Sequence, residues 1–213
     1  SKGKSLLRVS HLHQDAINTA LQEKVFKIVN SVIKNIDLLV FSDFNYGCLP
    51  QNLVEKLTKL AKVNNVMLVA DSQSSSQIGD ISRFDGFDLT APTEREARIS
   101  AKNNEDGLVI LAEKLKQQSL AHNIFLKIGE EGLLIHSGAE STRYYTDRIN
   151  ALNSAPRDVA GAGDSLLISG ALTLASGGDI WEAAIIGSLA AAIQVGRVGN
   201  TQLQTSELLK ELN

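Results

Sequence analysis

Length, composition and charge already restrict the class of protein. The chain has 213 residues, of which 43% are hydrophobic and 21% charged, a composition that argues against intrinsic disorder and suits one globular domain over residues 1–213. Its 21 Lys and Arg residues against 24 Asp and Glu residues leave a net charge of −3, so the basic excess of a nucleic-acid-binding surface is missing.

The cysteine content and the length of the apolar stretches indicate the cellular compartment of the protein. Cys48 is the only cysteine, which excludes an intrachain disulfide and indicates a reducing compartment. The longest charge-free stretches near the C-terminus, residues 165–178 and 183–196, have 14 residues each, whereas a membrane-spanning helix needs about 20 apolar residues. We therefore predict no membrane association and a cytoplasmic location.

The first half of the chain alternates helical and strand patterns. Apolar residues recur with helical spacing over residues 15–35, which predicts a helix with one apolar face. Residues 37–44 and 66–71 are continuous apolar runs, and such runs are typical of strands buried on both faces. Pro50 predicts the start of the helix between them.

A third apolar run introduces a hairpin. Residues 124–128 are followed by Gly129, Gly132 and a further apolar stretch, a pattern that predicts two strands around a glycine turn. Strands that alternate with helices favour an α/β fold, in which a mainly parallel central sheet carries helices on both faces.

The last quarter of the chain is rich in glycine and poor in charge. Its apolar pattern, uninterrupted by any Lys or Arg, predicts two helices at about residues 163–175 and 180–195. Gly177 or Gly178 is expected to end the first helix, and Asp179 is expected to cap the second.

The most informative stretch is a glycine turn that opens the first of these helices. Residues 157–165 read RDVAGAGDS. The small residues let the backbone approach a ligand, and the free N–H groups of a helix start make such a turn an anion site. Asp164 lies at its edge, either as a base for a hydroxyl that attacks a phosphoryl group or as a helix N-cap or first-turn acid, and spacing by itself favours the structural role. The stretch matches neither the P-loop nor the dinucleotide fingerprint.

The stretch DVAGAGDSLL resembles the C-terminal signature of the ribokinase-like (PfkB-type) carbohydrate kinases, Asp-Thr-x-Gly-Ala-Gly-Asp followed by an apolar helix. The matching positions are Asp158, Gly161, Ala162, Gly163 and Asp164. The resemblance extends from about residue 6 to the C-terminus, with further motifs at residues 42–47, 71, 90–96, 128–132 and 190–199. The central-strand motifs among them resemble most closely the branch of the D-glycero-D-manno-heptose 7-phosphate kinases.

The resemblance implies ATP-dependent phosphorylation of a sugar hydroxyl. Asp164 would act as the catalytic base, and the amides of Gly161, Ala162 and Gly163 would form the anion hole for the transferred phosphoryl group. This agrees with a reaction that depends on positioning and charge stabilisation. In the heptose branch the acceptor is a heptose phosphate, which reacts at its anomeric hydroxyl. The implied partners are therefore ATP and a sugar or sugar phosphate, with a homodimer left open.

The resemblance also implies residues that bind the nucleotide and its ions. Glu94 would orient Mg²⁺, as the glutamate of the family's Asn-x-x-Glu motif does, and Asp158 would belong to a site for a monovalent cation such as K⁺. The alternatives are a first-turn helix acid for Glu94 and a turn aspartate for Asp158. The nucleotide-binding residues would be Lys127, Gly129, Gly132, Ser188, Ala191 and Gly196.

Several positions depart from the family pattern. Ala91 stands where the Asn of the Asn-x-x-Glu motif is expected, Ser188 where an Asn of the final helix is common, and Lys127 where a small hydroxyl residue is usual. The family's first half, with a Gly-Gly-x-x-x-Asn motif and a sugar-binding lid, has no counterpart here. We therefore expect either a piece of a longer kinase or a reduced protein. The alternative function is a non-catalytic module that binds a nucleotide or a partner.

Overall fold

The computed structural model describes residues 15–74, 79–138 and 145–212. Within these residues, one six-stranded sheet is accompanied by seven α-helices. The strands are β1 (Leu38–Asp43), β2 (Met67–Ser72), β3 (Leu89–Thr90), β4 (Asn123–Lys127), β5 (Leu133–Ser137) and β6 (Tyr145–Ile149). The helices are α1 (Thr19–Val32), α2 (Gln51–Val63), α3 (Glu94–Ala101), α4 (Leu108–Ser119), α5 (Ala162–Ala175), α6 (Ile180–Val195) and α7 (Thr205–Leu212).

The strand order across the sheet follows the chain from β1 to β6. The strands β1 to β4 pair in parallel, and β4, β5 and β6 pair antiparallel. Parallel neighbours need a crossover connection, and α2 provides it between β1 and β2, while α3 and α4 provide it between β3 and β4. The predicted α/β fold with a mainly parallel sheet is confirmed.

Helices cover both faces of the sheet. Successive side chains of a strand point to opposite faces, so a buried strand presents apolar side chains to the helices on either side. In β4, Ile124 and Leu126 belong to the core that α2, α3 and α4 cover, whereas Phe125 between them belongs to the core that α5 and α6 cover. Complete burial of one such side chain stabilises the fold by about 1.5–3 kcal/mol. The two predicted helical layers are therefore present.

The first strand differs from its prediction. The pattern predicts that β1 is buried on both faces, but Leu38, Leu39 and Val40 are half-buried and Ser42 is exposed. The reason is position, because β2 is the only described sheet neighbour of β1 and α1 contains no fully buried residue. An apolar run shows which side chains favour burial. How deeply these side chains are buried depends on the elements that pack against the strand.

Five elements have no counterpart among the patterns described above, namely β3, α3, α4, β6 and α7. Strand β3 has two residues, which is too short for a periodic signal, and β6 reads YTDRI with mostly exposed side chains. Both are defined by backbone pairing with their neighbours. Helix α7 is a short amphipathic helix that packs against α6.

The two apolar helices are confirmed within one residue. Gly177 follows the end of α5 in the left-handed conformation with a φ of +91°, and the Asp179 side chain accepts hydrogen bonds from the N–H groups of Trp181 and Glu182 at the start of α6. The two helices approach closely, since a Cβ at Gly187 would lie 2.7 Å from the backbone oxygen of Leu166. Among the described helices, none combines the length and the apolar character that crossing a bilayer requires.

Candidate active site

Polar side chains gather at the carboxyl edge of the parallel strands. Asp71 lies near the end of β2 and Lys127 is the last residue of β4. The start of α5 lies at the same edge, because a Cβ on Gly163 would be 3.2 Å from Nζ of Lys127. Ligands of open α/β sheets bind at this edge, so the cluster is the candidate active site.

The centre of the cluster is a buried ion pair. Nζ of Lys127 donates to Oδ1 of Asp71 at 3.1 Å and to Oδ2 at 3.0 Å, and the two side chains expose 15% and 3% of their surface. Burial raises the pKa of the Asp71 carboxyl, and the ammonium of Lys127 offsets part of that rise. The negative charges of Glu96 and Asp164 also raise this pKa. The cluster therefore holds three carboxylates against one ammonium.

The glycine turn opens α5 as the sequence predicts. Gly161 is the N-cap residue, in the left-handed conformation with a φ of +78°. The N–H of Ala162 donates to the carbonyl of Val159. In the described part of the chain, the N–H groups of Gly161, Gly163 and Asp164 donate to no acceptor. Of the predicted anion hole, the amides of Gly161 and Gly163 are therefore available to an anion, that of Ala162 is not, and the amide of Asp164 is added.

Asp164 does not cap the helix. It is the third residue of α5, and its half-buried carboxylate accepts no hydrogen bond from the described residues. Asp179 provides the contrast, because it is the N-cap residue of α6 and accepts two backbone N–H groups. The geometry therefore removes the N-cap alternative, places Asp164 in the first turn of α5 and leaves its carboxylate beside the unpaired amides of Gly163 and Asp164.

The acidic residue that α3 brings to the site is Glu96, and the prediction of Glu94 needs correction. Glu94 forms an ion pair with Arg98 at 2.8 Å and exposes 42% of its side chain. The buried carboxylate of Glu96 accepts the N–H groups of Ser74 and Thr93 at 2.9 and 2.7 Å. The capping-box spacing of Thr93 and Glu96 is the sequence signal that could have identified it.

The predicted nucleotide residues have different surroundings. Gly129 and Gly132 form the left-handed turn between β4 and β5, and a Cβ at Gly132 would lie 2.1 Å from a backbone oxygen of β6. Ser188 is 8% exposed inside α6, which leaves little of it to contact a nucleotide. Ala191 packs against the core of α5 and α6, and Gly196 is the C-cap residue of α6. Of the predicted set, Lys127 is the residue that lies beside the glycine turn.

Asp158 lies outside the cluster and joins two loops. Its Oδ1 accepts the N–H of Ala160 and its Oδ2 accepts the N–H of Gly199, each at 3.0 Å. These two backbone hydrogen bonds hold the pKa of the Asp158 carboxyl below its usual range. Within the described ranges, no group of three or more His, Cys, Asp and Glu side chains is arranged to hold a metal ion.

Curated relatives match almost the whole chain. The sequence is 27% identical over 210 residues to the bifunctional protein HldE of Desulfatibacillum aliphaticivorans, which covers 97% of this chain and 41% of the relative. It is 26% identical over 211 residues to the bifunctional protein HldE of Nitratiruptor, which covers 98% of this chain and 43% of the relative. The chain therefore spans about two fifths of the length of these relatives.

Solved structures show the fold, and a family profile shows the family. The fold superposes on phosphofructokinase-2 from Escherichia coli in complex with potassium with a TM-score of 0.73 and 17% identity, over 92% of this chain and 62% of that one. It superposes on Arabidopsis thaliana ribokinase complexed with ribose and ATP with a TM-score of 0.71 and 16% identity, over 93% and 60%. Residues 10–206 match the profile of the pfkB family carbohydrate kinases. The fold is thus ribokinase-like, and the chain belongs to the pfkB carbohydrate kinase family.

Proposed function

We propose that this chain carries the phosphoryl-transfer site of an ATP-dependent sugar kinase. The observation that carries the proposal is the Asp164 carboxylate, which caps no helix and lies beside the two unpaired amides of Gly163 and Asp164. An aspartate that served as the N-cap residue would accept backbone N–H groups, as Asp179 does. An unpaired carboxylate beside an anion site suits a base.

In the proposed reaction the acceptor hydroxyl oxygen attacks the γ-phosphorus of ATP. The bond from the γ-phosphorus to the β–γ bridging oxygen breaks, ADP leaves with that oxygen, and the hydroxyl proton passes to the carboxylate of Asp164. The amides of Gly163 and Asp164 donate to the transferred phosphoryl oxygens, and the dipole of α5 adds positive potential at the same point. The residues thus supply positioning and charge stabilisation, on which phosphoryl transfer depends.

Lys127 is proposed to contribute the positive charge of the site. A lysine ammonium has three N–H donors, and two of them are directed at the oxygens of Asp71. The third is available to a phosphoryl oxygen, since Nζ lies 3.2 Å from the position that a Cβ on Gly163 would take. Asp71 then acts as a positioning residue, because its buried carboxylate fixes where the ammonium lies.

The acidic balance of the cluster favours a divalent cation that arrives with the nucleotide. Three carboxylates against one ammonium would repel a polyphosphate, and Mg²⁺ bound to the phosphates would neutralise that charge. Mg²⁺ commonly keeps several waters and uses one or two carboxylates, so a dedicated cage of side chains is not required. Glu96 replaces Glu94 as the proposed orienting carboxylate.

For the acceptor we propose a heptose 7-phosphate, on the resemblance of residues 42–47, 71 and 90–96 to that branch of kinases. A cytoplasmic location is part of the same proposal, because ATP is the donor. The homodimer stays a prediction.

The test combines binding and turnover on the purified protein. Isothermal titration calorimetry should detect ADP with Mg²⁺ in the millimolar range or tighter, and phosphorus NMR should follow transfer from ATP to heptose 7-phosphate, with fructose 6-phosphate and ribose as competing acceptors. Absence of ADP binding would overturn the site itself. Binding without transfer is also expected of a piece without the sugar-binding half, so the non-catalytic module is favoured only if a longer chain that carries this half fails to transfer as well. Transfer to another sugar would overturn only the proposed acceptor.

A further inference from the structure

Gln194 in α6 connects the loop before α5 with the loop after α6. Its side chain is completely buried, and its Nε2 donates to the carbonyl oxygens of Ala160 and Gly199, both at 3.1 Å. No sequence pattern identified this residue, because a single glutamine in an apolar helix carries no periodic signal. The amide therefore links two loops that are 39 residues apart in the sequence numbering, from Ala160 to Gly199.

The same two loop residues are held from a second direction. Ala160 and Gly199 each donate their backbone N–H to one oxygen of Asp158 and each accept from Gln194 through their carbonyl. Asp158, Gln194, Ala160 and Gly199, which we call the loop junction, thus form a set of four hydrogen bonds. The lowered pKa of Asp158 keeps its carboxylate ionised at neutral pH.

The loop junction contains the donor types that a monovalent cation requires. Carbonyl and carboxylate oxygens are the ligands of K⁺ and similar hard cations, and the junction offers the carbonyls of Ala160 and Gly199 with the carboxylate of Asp158. Each carboxylate oxygen of Asp158 accepts one backbone N–H group and keeps a further lone pair, so the carbonyls decide whether a cation fits. The point that faces both carbonyls is taken by Nε2 of Gln194, whose hydrogens carry positive partial charge. The residues present do not fit the cation that the family resemblance implies.

We infer that the Gln194 amide takes the place of a monovalent cation at the loop junction, so that these loops are held together without K⁺. The side-chain amide does by hydrogen bonding what a cation would do by coordination, because both put positive charge between the same two carbonyl oxygens. The inference does not rest on the proposed catalytic function, since it concerns how the loops are held.

The orientation of the amide makes the inference testable. With Nε2 toward the carbonyls, Oε1 of Gln194 is buried and has no partner among the described residues. The reverse orientation would bring Oε1 against two other carbonyl oxygens, which repel it unless a cation lies among the three. An unpaired buried acceptor costs about 1–3 kcal/mol, whereas three converging carbonyls without a cation would leave three unpaired acceptors. The two orientations predict opposite responses to K⁺.

The experiment is thermal unfolding in KCl, NaCl and choline chloride at equal ionic strength. The wild-type Tm should be the same in all three salts. Gln194→Met keeps the side-chain length and removes the amide, so its Tm should fall in choline chloride and should rise by about 2–4 °C or more in KCl. Asn153→Ala is the matched control, because it removes another amide that donates to a backbone carbonyl, that of Ala192. Its Tm should fall equally in every salt.

Two results would overturn the inference. A wild-type Tm that rises saturably with K⁺ relative to choline would mean that the junction binds the cation and the amide is reversed. A Gln194→Met variant that folds but ignores K⁺ would mean that the amide does not replace a cation. If that variant fails to fold, thallium NMR on the wild-type protein decides, since a bound Tl⁺ resonance that K⁺ displaces contradicts the inference and its absence supports it.

Discussion

The two polar junctions beside the start of α5 use different chemistry. One is the ion pair of Asp71 and Lys127, almost completely removed from solvent. The other joins Asp158 and Gln194 to backbone groups and carries one formal charge. A buried charge is costly unless it is paired, whereas backbone groups must find partners in any fold. Formal charge is thus concentrated where we propose that a phosphoryl group binds, and the loops are held by one carboxylate together with neutral groups.

The largest expected effect is on turnover. In whichever longer chain carries the activity, Asp164→Asn keeps the size of the side chain but cannot accept the proton, so turnover should fall by roughly 10²–10⁴, the range of a positioned base. The affinity for ADP should hold or improve, because a negative charge beside the phosphates is removed. Phosphorus NMR and calorimetry on the same variant measure both quantities.

Asp179→Asn is the matched control for Asp164→Asn, since it also removes a carboxylate from a helix start, but one that caps. Asn is a good N-cap residue, so stability should change little and turnover not at all. Equal turnover in wild type and Asp164→Asn would exclude Asp164 as the base.

Removal of Lys127 should break its ion pair with Asp71. Lys127→Met leaves the buried Asp71 carboxylate without its cation, which should destabilise the fold by about 3–5 kcal/mol and weaken ADP binding. The pKa of Asp71 then rises further, so the stability deficit should shrink as the pH falls and the carboxyl becomes neutral. Urea unfolding across a pH series measures this deficit.

The double variant Asp71→Asn with Lys127→Met separates stability from binding. It should recover much of the lost stability, because no unpaired charge remains, but it should not recover ADP affinity. Recovery of both would mean that Lys127 serves only the fold.

The stability that the loop junction contributes should depend on pH over a different range from that of the Asp71 and Lys127 pair. The pKa of Asp158 is lower in the folded state than the unfolded value of about 3.9, so its contribution to stability is present above that value and is lost as the pH falls through the folded pKa. Asp158→Asn should therefore have a lower Tm than wild type at neutral pH, and the two curves should converge in acid. Curves that stay parallel down to the acid transition would contradict this assignment.

The smallest expected effect on stability is at Gly163. Gly163→Ala introduces a Cβ 3.2 Å from the flexible end of Lys127, and the helical preference of Ala offsets part of that contact, so stability should change by about 1 kcal/mol or less. ADP affinity should fall, since the methyl group lies beside the proposed phosphoryl site. Gly187→Ala should show the reverse pattern. Its Cβ would lie 2.7 Å from the backbone oxygen of Leu166, so stability should fall, whereas ADP affinity should change far less.

Local patterns in the sequence determined the α/β class, the helix pair and the glycine turn. They could do so because helix caps, glycine conformations and buried strands depend on residues within a few positions of one another. Gly161 and Asp179 act in the structure as their spacing indicates.

Only the tertiary structure decided which side chains meet. Asp71 and Lys127 are 56 residues apart in sequence, and their pairing depends on the order of parallel strands. That Glu96 and not Glu94 faces the cluster depends on which side of α3 is buried. The exposure of β1 depends on its place in the sheet. The role of Gln194 could not be predicted for the same reason. The packing of α6 places its amide between two loops, and no neighbour in the sequence indicates this.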